Sequence, residues 1–263
     1  MSTGRPLNVV VTGGSGPSGI AAARALRNAG HTVVTVGSDR PRIEAAAAEA
    51  GSGVTPLVCD LADLADVRAL HSTVHALLAG TGRAVDGVIH LVGGWRGAKG
   101  ITDQSDEDWE FLERGAITTL RNVTRVFFGD LSASDAGRFA IVSSTAVSTP
   151  TAGGASYVAA KAAAEAWTLA VADGFRKAQR GNAGPGSDTV PGEQHSPADQ
   201  HSAAVIFVVK SLVDQAMRAK SPDRSFPGFT DVEDLAAAAV GLFTSPAAEL
   251  NGRRLLLGPE PRH

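Results

Sequence analysis

The chain has 263 residues, 43% hydrophobic and 19% charged, and a formal net charge of −3. That balance fits a globular protein with a real core and leaves no strong basic field to attract nucleic acid or a membrane surface. The single cysteine, Cys59, excludes an internal disulfide framework. No apolar run reaches the roughly 18 residues a membrane span needs, and the opening MSTGRPLN lacks a signal-peptide core, so a cytoplasmic location is expected.

The stretch LNVVVTGGSGPSGIAAARALRNAGHTVVTVGSDR (7–40) reads as strand, glycine-rich turn, helix and strand. The apolar, β-branched run Val9–Val11 suits a strand buried on both faces. A helix follows from Ile20 to Leu26, with Gly30 as its stop signal. His31–Val36 is the second strand. The alternation repeats: helix 42–50, strand VTPLVCDL, helix 65–78, strand VDGVIHLVGG, helix 106–128, strand GRFAIVSST and helix 157–177. Strands alternating with helices imply βαβ units and a parallel sheet covered on both sides.

The period breaks at 180–202, RGNAGPGSDTVPGEQHSPADQHS, whose composition cannot offset its ordering entropy; a mobile surface insertion is expected. AAVIFVV (203–209) restores a buried strand. LVDQAMRAK reads as helix, SPDRSFPGF as loop, DVEDLAAAAVGLF as a helix capped by Thr230 or Asp231, and RRLLLG as a last strand.

The turn TGGSGPSG (12–19) lies between a buried strand and a helix, where a dinucleotide fingerprint must lie. Glycines let the backbone approach a pyrophosphate, and a helix N-terminus adds free N–H groups and partial positive charge. Thr12, Gly13, Gly16 and Gly19 resemble the T-G-x-x-G-x-x-G turn of extended and atypical short-chain dehydrogenases/reductases; the commoner family pattern is T-G-x-x-x-G-x-G. In that register Pro17 replaces the middle glycine. The resemblance covers almost the whole chain apart from 180–202. It implies one Rossmann-type, doubly wound α/β domain spanning 1–263, with a mostly parallel sheet.

It also implies NAD(P)(H). The TVGSDR segment leaves the choice open. Gly37 stands where NAD-preferring relatives carry an acid, Ser38 and Arg40 are suited to a 2′-phosphate, and Asp39 opposes it; the reading leans to NADP(H) over NAD(H). Asp60 resembles the family's acid beside the adenine ring, and a helix N-cap is an equal reading of it. Leu61 and Gly93 complete the cofactor-binding set that the resemblance implies.

Tyr157 and Lys161 are four residues apart, which places them on one helical face. An ammonium ~5 Å away at an effective dielectric of ~20 favours the phenolate by about 3 kcal/mol, roughly two pKa units. Ser144 ends a strand thirteen residues earlier, with Ser143 the second choice. The trio resembles the family's Ser…Tyr-x-x-x-Lys set. The implied roles are polarisation of the substrate oxygen by Ser144, proton exchange by Tyr157, and tuning of the phenol and nicotinamide-ribose binding by Lys161.

Three segments depart from the family. HLVG (90–93) replaces Asn-Asn-Ala-Gly, and His90 reads as structural. Ala116 aligns with the family's relay asparagine; Thr118 and Thr119 nearby are read as bonding backbone or water. VVKSLVD stands where a Pro-Gly pair contacts the nicotinamide.

Other candidates are weaker. His71 and His75 share a helix face but have no third ligand in an H-E-x-x-H pattern, so a solvated face is expected and no metal is assigned. Trp95 and Arg96 follow the fourth strand and are suited to the substrate pocket or an ordinary loop. Phe226 and Phe229 read as core contacts or an apolar lid, and Trp109 and Trp167, on the two long helices, as interface or core residues, with core the default. The resulting expectation is carbonyl/alcohol interconversion on a small molecule by a homodimer or homotetramer. The alternatives are a non-catalytic NAD(P) sensor and an epimerase or dehydratase.

Overall fold

The computed structural model describes residues 5–81, 84–181 and 200–258. The first βαβαβ unit is β1 (Asn8–Thr12), α1 (Pro17–Asn28), β2 (Thr32–Gly37), α2 (Arg40–Ala50) and β3 (Val54–Val58). Then follow α3 (Leu64–Leu78), β4 (Gly87–His90), α4 (Asp106–Glu113), a π-helical turn (Arg114–Thr118), α5 (Thr119–Ala133), β5 (Arg138–Ser144), α6 (Ala155–Gly181) and β6 (Ala203–Val209). The chain continues through β7 (Leu212–Val213), α7 (Gln215–Lys220), β8 (Thr230–Asp231), α8 (Val232–Gly241), α9 (Ala247–Leu250) and β9 (Arg254–Leu256).

The main sheet has seven strands in the order β3-β2-β1-β4-β5-β6-β9, and its pairings are parallel. Because every crossover returns on one face or the other, the inner strands are apolar on both sides. The pleat divides them. Val10, Val34, Val88 and Ile206 pack with α3, α5 and α6, around Phe127 and Phe175. Val9, Val11, Val33 and Phe207 pack on the opposite face with α1, α2 and α8, around Leu26 and Leu235. Thr12 pairs with both Val36 and His90; β2 and β3 are added on one side of β1 and β4 to β6 on the other, so the strand order switches there and the carboxyl ends of β1 and β4 open a crevice.

Several local expectations are corrected. The predicted 106–128 helix runs on to Ala133 but contains the π turn around Ala116. Asp60 does not cap α3: Asp63 does, accepting from Ala65 N–H at 2.7 Å, while Asp60 accepts from Ala62 N–H in a tight turn before it. Leu212–Val213 leave the predicted helix to pair with Thr230–Asp231, and Asp231, not Thr230, caps α8. Trp109 is 40% exposed rather than core, whereas Trp167 packs on the core and donates to Thr124 Oγ1 at 2.9 Å. Of the expected 180–202 insertion, 182–199 lie outside the described residues; 180 and 181 end α6, and Ser202 is buried with its hydroxyl donating to Leu131 O. No helix among the described residues is long and apolar enough to cross a membrane.

Candidate active site

Two cavities line the carboxyl edge of the sheet. One, about 550 Å³, is walled by Gly13, Ser15, Gly16, Ser38, Arg42, Asp60, Leu61, Gly93 and Arg114, among others. The other, about 940 Å³, is walled by Ser144, Tyr157, Lys161, Trp95, Lys210, Arg224 and Phe229, among others. They share Leu91, Val92 and Gly93, so the glycine-rich turn and the Tyr–Lys pair belong to adjoining chambers.

The turn's glycines do different work. Gly13 has φ +76°, and a Cβ there would lie 2.7 Å from Leu91 O. Gly19 packs α1 against the loop, since its Cβ would reach Gly13 O at 2.5 Å. Gly14, absent from the expected set, is needed too, because a Cβ would meet Thr35 Oγ1 at 1.7 Å. At Gly16 the nearest atom to a Cβ is 3.7 Å away, so the fold itself tolerates a side chain there. That open space faces the cavity at the α1 N-terminus. Ser15 Oγ, buried beside it, has no hydrogen-bond partner. Room for close backbone approach and an unsatisfied hydroxyl at a helix N-terminus fit a dinucleotide's phosphates.

A Cβ at Gly37 would lie 2.4 Å from Ser15 Oγ and 3.2 Å from Ile43 Cδ1, so a side chain there requires both to shift. Ser38 lines the cavity as expected. Arg40 does not; its guanidinium turns to Glu44 at 3.4 Å. Arg42, not anticipated from the sequence, lines the cavity instead. Asp39 is held as the α2 N-cap, accepting from Arg42 N–H at 2.9 Å. Asp60 lines the cavity and pairs with Arg114 Nη2 at 2.6 Å. Burial pushes the Cys59 thiol up to about 12, with the carboxylates of Asp66, Asp60 and Asp63 adding to the rise, so this wall residue is no nucleophile at neutral pH.

In the larger chamber, α6 presents Tyr157 and Lys161 one turn apart, and β5 ends at Ser144. Ser144 is buried; its hydroxyl accepts from Ala146 N–H at 3.1 Å and lies near enough to the Tyr157 phenol to lower its pKa. Ser143 is committed elsewhere, donating to Glu165 Oε1 at 2.6 Å; Arg254 Nε holds that carboxylate from the other side at 2.9 Å.

The electrostatics differ from the sequence expectation. Burial pushes the Tyr157 phenol up, with the neighbouring Ser144 hydroxyl opposing it. Burial lowers the Lys161 ammonium to about 8, and Glu165 works the other way. Lys161 Nζ stands 6.0 Å from the centre of the Tyr157 ring and donates to Val142 O at 2.9 Å. The phenol is therefore protonated at neutral pH and the amine is only partly charged in basic solution.

The sequence matches, over residues 7–179, the family model described as short chain dehydrogenase. The chain belongs to the short-chain dehydrogenase/reductase family. This is a family of oxidoreductases that bind NAD(P)(H) and act on small molecules. The fold is shared with a short-chain oxidoreductase of Pseudomonas aeruginosa PAO1 that contains an atypical catalytic centre: TM-score 0.78, 18% identity, covering 98% of this chain and 97% of that one. A short-chain type dehydrogenase/reductase from Mycobacterium ulcerans matches with TM-score 0.74 and 19% identity, over 95% of this chain and 87% of that one. A further short chain dehydrogenase/reductase family protein gives 0.71 and 23%, over 95% of each chain. No curated protein matches the sequence.

The segments that depart from the short-chain dehydrogenase/reductase pattern are accounted for locally. His90 is buried, its Nδ1 2.7 Å from Thr12 Oγ1 and its Nε2 3.2 Å from Thr119 Oγ1. Burial, with Lys161 adding to it, lowers its pKa to about 3, so it is a neutral brace between β1 and α5. Thr119 also donates to Gly115 O at 2.7 Å, and Thr118 to Glu113 Oε1 at 2.7 Å; neither threonine is aimed at Lys161. Ala116 sits in the π turn, packed with Leu112, Ala160 and Tyr157. π turns often mark functional sites because they re-aim one turn of helix. Lys210 and Ser211 take the Pro-Gly place on the cavity wall, and Lys210 Nζ donates to Pro227 O at 3.1 Å. Trp95 and Phe229 line the chamber. Arg96 instead lies over the Phe111 ring, 3.9 Å from its centre, and Phe226 packs against Phe229 at 5.5 Å.

Proposed function

We propose that this short-chain dehydrogenase/reductase interconverts a small-molecule carbonyl and alcohol with NAD(P)(H). The observation that carries the reading is the convergence of Ser144, Tyr157 and Lys161 on a chamber that adjoins the glycine-rich cavity. Gly13, Gly16, Ser15, Ser38, Arg42 and Gly93 would hold the cofactor, with Asp60 and Leu61 on the adenosine side and Lys161 at the ribose. When bound, NAD(P)(H) supplies or accepts the hydride.

The chain's own residues handle the oxygen and the proton. Ser144 O–H hydrogen-bonds the carbonyl oxygen and polarises it. Tyr157, protonated because its phenol is buried, gives its proton to that oxygen as reduction proceeds and takes it back in oxidation. Lys161 stabilises the transient phenolate when it is charged. Leu91, Val92 and Trp95 supply apolar lining to the chamber. Ser38 and Arg42 favour NADP(H) through a 2′-phosphate. A homodimer or homotetramer is the assembly that membership of this family suggests.

A second reading is a nucleotide-binding sensor without turnover. Lys161 bonded to Val142 O and Ala116 in place of a polar relay group favour it. Fluorescence titration with NADPH and NADH, followed by a carbonyl panel read by cofactor absorbance, separates the two. Binding with turnover is expected of the enzyme, and tight binding without turnover across a broad panel belongs to the sensor.

A further inference from the structure

His71 and His75 occupy one face of α3, and α5 brings Asp130 to them. The third ligand that is missing from the local sequence pattern arrives from a helix 55 residues further along the chain from His75. His71 Nε2 lies 3.1 Å and His75 Nε2 2.7 Å from the same oxygen, Asp130 Oδ2. The two imidazoles are neighbours, tilted by 40° with centres 4.2 Å apart. The buried Phe127 ring meets His71 edge-on at 5.1 Å. The carboxylate is mostly buried, with 14% of its side chain exposed, whereas the His75 side chain is 40% exposed. The cluster therefore has a fixed floor and an open side.

We infer that His71, His75 and Asp130 form a binding site for a divalent transition-metal ion of the Zn2+ class. Two imidazoles and one carboxylate are a donor set of borderline softness, which selects zinc-like ions over calcium or magnesium. Bonds of about 2.0–2.2 Å to a tetrahedral ion separate neighbouring donors by roughly 3.3 Å. The candidate donor atoms all lie within 4.8 Å of one another, so small side-chain rotations place an ion between them. The His71 and His75 side chains are 27% and 40% exposed, so the cluster is open to solvent. None of the three residues lines either active-site cavity, so the ion fastens α3 to α5 rather than entering the reaction.

The test uses the full chain after chelator treatment, titrated with ZnCl2 by calorimetry and followed by thermal melting. One equivalent should bind and raise the Tm. Asp130→Asn and the double variant His71→Gln/His75→Gln should each weaken binding at least about tenfold while leaving NAD(P)H affinity unchanged. If the variants misfold, imidazole 15N spectra of the wild-type chain serve instead. Zinc should then shift two histidines whose ring protons share NOEs. Stoichiometric binding that survives both variants, zinc shifts on other imidazoles, or no stoichiometric binding to the wild-type chain would each overturn the assignment.

Discussion

Ser143 Oγ donates to Glu165 Oε1 at 2.6 Å, which turns one of two adjacent serines away from Tyr157 and leaves Ser144 to face it. The two hydroxyls should therefore fail differently. Ser144→Ala should lower kcat/KM about 10²-fold by removing a donor to the reacting oxygen. Ser143→Ala should instead destabilise the fold by about 1–3 kcal/mol, because a buried carboxylate loses a partner. Urea midpoints and initial rates of both variants check this; a Ser143→Ala enzyme with normal stability and no activity would reverse the assignment.

Gly16 and Gly19 make a similar contrast. A methyl at position 19 meets the Gly13 backbone at 2.5 Å, whereas one at 16 has ordinary clearance at 3.7 Å. Gly19→Ala should fold poorly. Gly16→Ala should fold with a Tm near that of the parent and lose cofactor affinity, since the space it fills is the ligand's. Melting curves and NADPH titration of the two variants read the difference.

Arg42 rather than Arg40 lines the smaller cavity proposed for the cofactor. Arg42→Ala should weaken NADPH about 10–100-fold, the cost of one charge-assisted hydrogen bond, with little change for NADH. Arg40→Ala, which loses only an exposed pair with Glu44, should alter neither. Equal losses for both coenzymes in Arg42→Ala would argue against a 2′-phosphate contact.

His90 predicts an acid sensitivity. Its folded pKa is lowered from the ordinary 6.5 to about 3, so the unfolded chain takes up the proton first as pH falls. Its contribution to stability is fully present above about 6.5 and is lost as pH falls toward about 3, with a slope of at most ~1.4 kcal/mol per pH unit. Urea unfolding of wild type and His90→Asn between those limits should show the steeper decline in wild type. Parallel slopes would show that His90 is not the titrating group.

The order of strands and helices was readable from period and composition, because each element carries its own apolar pattern. So was the Tyr157–Lys161 face, since four residues make one helical turn. What escaped depends on directions and distant neighbours. Arg42 and Arg40 lie two residues apart at the start of α2, and only the helix's orientation decides which reaches the cavity. Asp130 could not be linked to His71 and His75 from sequence because α3 and α5 meet only after the sheet forms. Lys161 was expected to depress the phenol, but burial of Tyr157 dominates and the amine is bonded to Val142 O. The steric need for Gly14 comes from Thr35 on the neighbouring strand, which no local motif encodes.

The central claim is that Tyr157 moves the proton. Its most direct test is carbonyl reduction by Tyr157→Phe, measured beside the variant's cofactor affinity. Phenylalanine keeps the ring and its packing against Ala116 and Ala160 but has no proton to give. The account predicts kcat lowered by about 10²–10⁴-fold with cofactor affinity unchanged. Turnover at the wild-type rate would contradict it.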